Sequence, residues 1–172
     1  AWMSHALVLG VGNTLLQDDG AGVQAALQLA ARDVARRDLR VLDAGTVGFA
    51  LLPELEGCDA LLVFDAVREG AASGAVSLRE GEAMDTFVRR SHRSVHELGL
   101  SDLLDMARLA GCLPARRALI GIEPGAITWG VGCTPAVARA LPAAVDTALT
   151  WLARWRALAL AGPGMAEHDH AA

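Results

Sequence analysis

The sequence predicts a three-layer α/β/α domain built on a mostly parallel, twisted sheet with one antiparallel edge strand. Three observations predict it. The runs at residues 6–9, 61–64 and 118–122 are apolar without alternation, which marks strands buried on both faces. Between them lie segments whose apolar residues recur at helical spacing. Strand and helix patterns alternate along the chain, the order that builds a parallel sheet covered by helices.

The first strand, Ala6, Leu7, Val8 and Leu9, runs into Gly10-Val11-Gly12-Asn13. Val23, Ala26, Leu27 and Ala30 then fall at i, i+3, i+4 and i+7, one face of a helix. A second strand is expected over 39–43, and a short helical segment containing Pro53 over 48–55. Leu61, Leu62, Val63 and Phe64 make a third strand that ends on Asp65. Over 75–80, Val76 and Leu78 alternate with polar residues, the pattern of a half-exposed edge strand. Leu100, Leu103, Leu104 and Ala107 line another helix, which stops at Gly111. Residues 118–122 form the last buried strand and 136–157 a long helix that includes Pro142. Gly162-Pro163-Gly164 ends that pattern, so the expectation is one domain over 3–160 and a disordered tail over 161–172.

Composition narrows the function classes. The 172 residues suffice for one domain, and a 53% apolar share is enough to bury a core. Fifteen Lys and Arg against twenty Asp and Glu give a net charge of −5, with no basic stripe of the kind nucleic-acid binders carry. The uncharged stretch 124–138 is shorter than the ~20 residues of a spanning helix and is broken by Gly and Pro. Cys58, Cys112 and Cys133 fit no zinc module, and nothing in sequence activates them. They read as reduced thiols of a cytoplasmic protein. No charged segment followed by an apolar one opens the chain, so no secretory signal is expected.

In parallel sheets, ligands bind beyond the carboxyl ends of the strands, where the strand order reverses. That rule selects Asn13, Asp18 and Asp19 after the first strand, Asp43 after the second and Asp65 at the end of the third. With a 2-1-3 strand order, Asp19 and Asp65 open into one crevice. Of Asp18 and Asp19, one suffices to cap the helix starting near Gly20, which leaves the other for chemistry. A strand that is apolar to its last residue and then ends on Asp65 points to a partner for that carboxylate. Ser94 and Glu97 have capping-box spacing, which places His96 in the first turn of the next helix, where the helix dipole keeps an imidazole neutral and able to bind a metal. Two carboxylates and one imidazole from three loops make an open metal site. The competing dinucleotide site fails at Leu15, which stands where the third glycine of that fingerprint belongs.

The run Leu9-Gly10-Val11-Gly12-Asn13-Thr14-Leu15-Leu16-Gln17-Asp18-Asp19-Gly20-Ala21-Gly22 resembles the opening signature of the hydrogenase maturation endopeptidases. The similarity continues through Asp43-Ala44-Gly45-Thr46, Phe64-Asp65-Ala66, His96-Glu97-Leu98-Gly99-Leu100, Gly121-Ile122-Glu123-Pro124 and Gly132-Cys133-Thr134-Pro135, in the family's order. The resemblance implies an endopeptidase that removes the C-terminal extension of a nickel–iron hydrogenase large-subunit precursor after nickel insertion. It implies that Asp19, Asp65 and His96 contact the metal and carry catalysis, with nickel delivered in the precursor and no permanent cofactor. It also implies that Asp43, Ala44, Gly45 and Thr46 govern substrate choice. Ala44 replaces a family glycine, so a left-handed backbone there would be strained. A water nucleophile fits, and whether Asp18 assists as general base stays open. Two other classes use the same three residues: a nickel-dependent checkpoint or chaperone that binds without cutting, and a self-contained zinc metallopeptidase.

Overall fold

The computed structural model describes residues 5–32, 38–45, 48–91 and 99–161. Strands β1 (Ala6–Val11), β2 (Leu39–Gly45), β3 (Ala60–Ala66), β4 (Val76–Glu80) and β5 (Arg116–Ile122) form one sheet in the order β2-β1-β3-β5-β4. β4 runs antiparallel to β5, and the other neighbouring pairs are parallel. The mostly parallel sheet with an antiparallel edge is therefore the architecture found.

Successive residues of a strand point to opposite faces, and in the central strands both faces are core. Val8, Leu62, Phe64 and Ile120 pack under α1 (Ala21–Arg32) and α5 (Pro135–Ala161). Leu7, Leu9, Leu61, Val63 and Leu119 pack on the other side with Leu55, Met84, Leu103 and Leu104. Those partners come from α2 (Leu52–Leu55), α3 (Glu82–Arg90) and α4 (Leu100–Leu109). Every position in the two central runs must be apolar, which is why no alternation appears in them.

The structure departs from the sequence-based expectation in three elements. In α1 the packed face is Val23, Ala25, Ala26 and Leu29, while Leu27 is half exposed. The 3-10 turn before the helix fixes its rotation, and apolar spacing alone did not reveal that. α3 was not expected, because its nine residues offer only Met84 and Val88 as fully buried apolar contacts in an otherwise polar segment. α4 begins at Leu100, with Gly99 at its N-cap donating its N–H to the Asp102 carboxylate at 2.8 Å. Ser94 and Glu97, expected to form a capping box, lie outside the described residues. α5 runs unbroken through Pro142: the exposed ring supplies no N–H to the carbonyl four residues earlier, and the buried stripe of Leu141, Ala144, Val145, Ala148 and Leu152 carries the helix past it by packing.

An ion cluster ties the far edge of the sheet together. Asp85 in the first turn of α3 accepts from Arg117 at the start of β5, at 2.7 and 2.9 Å, and from Arg108 at the end of α4 at 2.9 Å. Since β5 starts at the amino edge, α4 ends there, and its beginning at Gly99 lies toward the carboxyl edge.

Candidate active site at the carboxyl edge of the sheet

Strand order reverses between β1 and β3: β2 lies outside one and β5 outside the other. Helix α1 starts over both strand ends, at very close approach. A Cβ on Gly22 would stand 2.4 Å from the carbonyl oxygens of Val11 and Phe64, so only glycine fits. Gly12 takes φ +135°, and a Cβ there would meet the Asp19 carbonyl oxygen at 1.8 Å. The glycines after β1 thus serve packing and turn geometry, and they seat the 3-10 turn Gln17–Gly20 directly above the strand ends.

That turn places its two carboxylates in opposite environments. Asp18 is completely buried. Its Oδ2 accepts from the Gly125 and Ala126 N–H groups at 2.8 and 3.0 Å and from Thr134 Oγ1 at 2.7 Å, while Oδ1 accepts from the Thr134 N–H at 2.6 Å. Burial pushes this carboxyl up, but the donors at Ala126, Thr134 and Gly125 outweigh it and hold it below the ordinary carboxylate value. A water molecule has no access to it, so Asp18 is a positioning group that pins the loop after β5 and the start of α5 to the β1 loop.

Asp19 is partly exposed, and its Oδ2 accepts the Asn13 N–H at 3.0 Å. The turn is entered through Gln17, which at φ +48° is the only non-glycine with positive φ among the described residues. Such a conformation costs about 1–3 kcal/mol and persists only where its surroundings enforce it. Here the Gln17 N–H donates to the Gly130 carbonyl at 3.0 Å, and its Oε1 accepts from Thr128 Oγ1 at 3.0 Å. Asp65 is the penultimate residue of β3, opposite Gly121, and partly exposed between buried Phe64 and Ala66. Strand alternation puts it on the face of Leu61 and Val63, the side from which α4 approaches. Asp19 and Asp65 therefore stand at adjacent strand ends on either side of the reversal.

His96 lies outside the described residues, and the first described residue after it, Gly99, leads into α4. Among the described residues, no group of three or more His, Cys, Asp or Glu is placed to hold a metal ion. Asp43 lies next door on β2, paired with Gly10 of β1. Its Oδ1 accepts the Gly45 N–H at 2.8 Å, and the Gly45 carbonyl accepts the Gly12 N–H at 2.9 Å. The left-handed residue of this stretch is Gly45, at φ +51°, so Ala44 carries no strain. Thr46 is outside the described residues.

Two contributors lie in motifs that carry the family resemblance, but the sequence assigned neither a role. Thr134 gives Asp18 two of its four hydrogen bonds. Glu123, buried after β5, accepts the Glu69 N–H at 2.7 Å and so braces the loop that follows Asp65. Spacing alone could not mark them, because their partners are 116 and 54 residues away. Burial raises the Cys58 and Cys133 thiols, helped by Asp59 and Glu54 in one case and Asp18 in the other. Neither is poised as a thiolate nucleophile.

Comparison with known proteins points the same way. The family model described as hydrogenase maturation protease matches residues 23–151. The chain is 37% identical over 152 residues to the hydrogenase expression/formation protein HupD of Rhodobacter capsulatus, covering 88% of this chain and 72% of that one. The solved hydrogenase-maturating endopeptidase HybD of Escherichia coli superposes with a TM-score of 0.81 at 32% identity, covering 88% of this chain and 93% of that one. The NiFe hydrogenase maturation protease HybD of Thermococcus kodakarensis gives a TM-score of 0.72 at 30% identity, covering 85% and 97%.

Proposed function

Since this chain belongs to the hydrogenase maturation protease family and is a peptidase, we propose that it removes the C-terminal extension of a nickel–iron hydrogenase large-subunit precursor once nickel has been inserted. The observation that carries the proposal is the delivery of two carboxylates, Asp19 and Asp65, to adjacent strand ends at the reversal of strand order. The nickel is part of the substrate, held by the precursor. Asp19, Asp65 and His96 are the groups that engage it, and carboxylate and imidazole donors suit that ion. The Asn13 N–H orients Asp19 for this contact.

The engaged metal brings the precursor's C-terminal segment over the crevice. Water then adds to the scissile carbonyl, the C–N bond breaks, and the leaving amine takes a proton. Asp43, Ala44 and Gly45 of β2, with Thr46 next in sequence, contact the precursor. The three free thiols fit a reducing compartment, the cytoplasm. Among the described residues no helix is long and apolar enough to cross a membrane.

The test is a cleavage assay on purified components. Nickel-loaded precursor is expected to be shortened and nickel-free precursor to stay intact. Equal cutting of both would overturn the nickel-reading role, and binding of loaded precursor without cutting would leave a checkpoint rather than a protease.

A further inference from the structure

Next to the turn that carries Asp19 stands an exposed apolar surface with no part in the proposed reaction. Trp129 and Val131 are 80% and 84% exposed, and Leu15 is 53% exposed. They do not sit on loose chain. Leu16 and Gly130 form a parallel bridge, the Gly130 N–H donates to the Leu15 carbonyl at 2.9 Å, and the Gln17 N–H donates to the Gly130 carbonyl at 3.0 Å. Buried Asp18 fastens the same loop from below through Gly125, Ala126 and Thr134.

The loop that carries Leu15 also carries Asn13, whose N–H holds Asp19. The Asp19 N–H in turn donates to the Leu16 carbonyl at 3.1 Å, so the apolar side chains and the Asp19 carboxylate share one short, bonded segment. Residues 124–138 and 6–17 hold no Asp, Glu, Lys or Arg, whereas Asp19, Asp65 and Asp43 lie at or near the carboxyl ends of β1, β3 and β2. A polypeptide lying across both would meet acid at one end and an uncharged apolar platform at the other. Exposed Trp on a pre-ordered loop is the residue type that dominates binding hot spots, because little entropy remains to be lost on contact.

We infer that Trp129, Val131 and Leu15 form a docking platform for an apolar stretch of the substrate polypeptide adjoining the cleaved bond. Its occupant is the extended C-terminal segment of the precursor, and Trp129 is the anchor. The inference rests on the protease reading, and the two fail differently. If the wild-type protein does not cut nickel-loaded precursor, the protease reading fails. If it cuts and Trp129→Ala cuts with an unchanged KM, only the platform fails.

The experiment measures initial rates of precursor shortening for wild type, Trp129→Ala, Trp129→Phe and Val131→Ser. Trp129→Ala is expected to raise KM roughly tenfold or more while kcat stays within about twofold, the pattern of lost uniform binding. Trp129→Phe should recover most of that loss, because an aromatic face remains. A synthetic peptide copying the precursor's C-terminal segment should inhibit wild type, with an inhibition constant raised in parallel by Trp129→Ala. Thermal melts should leave all three variants within a few degrees of wild type, since the side chains are exposed. A proportional fall in kcat with constant KM would overturn the platform. Sedimentation showing a wild-type dimer that Trp129→Ala dissolves would also overturn it, by assigning the surface to a second copy of the chain.

Discussion

Asp18 and Asp19 are adjacent and chemically identical, yet the fold gives them opposite tasks. Asp18 receives four hydrogen bonds in a fully buried position. Removing it strands those donors, so Asp18→Ala should cost about 3 kcal/mol or more, measurable by urea unfolding. Its sign with pH follows from its lowered value. The stabilisation is complete above the ordinary carboxylate value of 3.8 and is lost as pH falls through the lower folded value. Asp18→Asn should therefore flatten the acid limb of the stability curve below about pH 4. Asp65→Ala and His96→Ala, by contrast, should abolish precursor shortening. Asp65→Ala should keep a melting temperature within a few degrees of wild type, because Asp65 is part-exposed at a strand end. A His96→Ala protein that still cuts at the wild-type rate would remove the imidazole from the site.

Elements matter here mainly through where they begin. The 3-10 turn Gln17–Gly20 and the start of α1 lie on the ends of β1 and β3 with no room for a Cβ at Gly12 or Gly22. Gly12→Ala should both destabilise the fold and displace Asp19, since the new methyl group collides with the Asp19 carbonyl and the backbone is left-handed. The measured signature is a lowered melting temperature together with lost cleavage. On the other side, Asp43–Gly45 is stitched to β1 through the Gly45 carbonyl. Exchanging residues 43–46 for those of a relative serving another hydrogenase should change which precursor is cut while cleavage itself survives. An exchange that leaves precursor choice unaltered would move specificity elsewhere, with Trp129 the next place to look.

At the scale of the whole molecule, the two ends of the sheet have separate electrostatics. The amino edge is fastened by Asp85 with Arg117 and Arg108, which joins α3, β5 and α4. The Arg117 hydrogen bonds, against the opposing effect of burial, and the charges of Arg117, Arg108 and Arg89 hold the Asp85 carboxyl below its ordinary value. Asp85→Ala would take from Arg117, in a mostly buried position, the carboxylate it is hydrogen-bonded to, a loss of about 3–5 kcal/mol. Cleavage should persist below the lowered melting temperature, because the cluster stands at the edge opposite the crevice. The carboxyl edge collects acidic groups and exposed apolar side chains instead, the pairing expected of a surface that receives a substrate.

The sequence by itself determined the layer architecture, the parallel sheet and its antiparallel edge, because burial on two faces forces unbroken apolar runs and burial on one forces alternation. It also singled out Asp19, Asp65 and Asp43, because acids at the ends of apolar runs have few other reasons to be there, while Gly45 entered only through the family resemblance. Spacing misjudged the buried face of α1 and passed over α3, where apolar residues are sparse or their phase depends on the preceding turn. Only the tertiary structure decided that Asp18 is a pin, that Thr134 and Glu123 are its counterparts in bracing the crevice loops, and that the left-handed residue is Gly45 rather than Ala44. These are outcomes of contacts between segments far apart in the chain or of a local dihedral, and neither leaves a periodic trace in sequence.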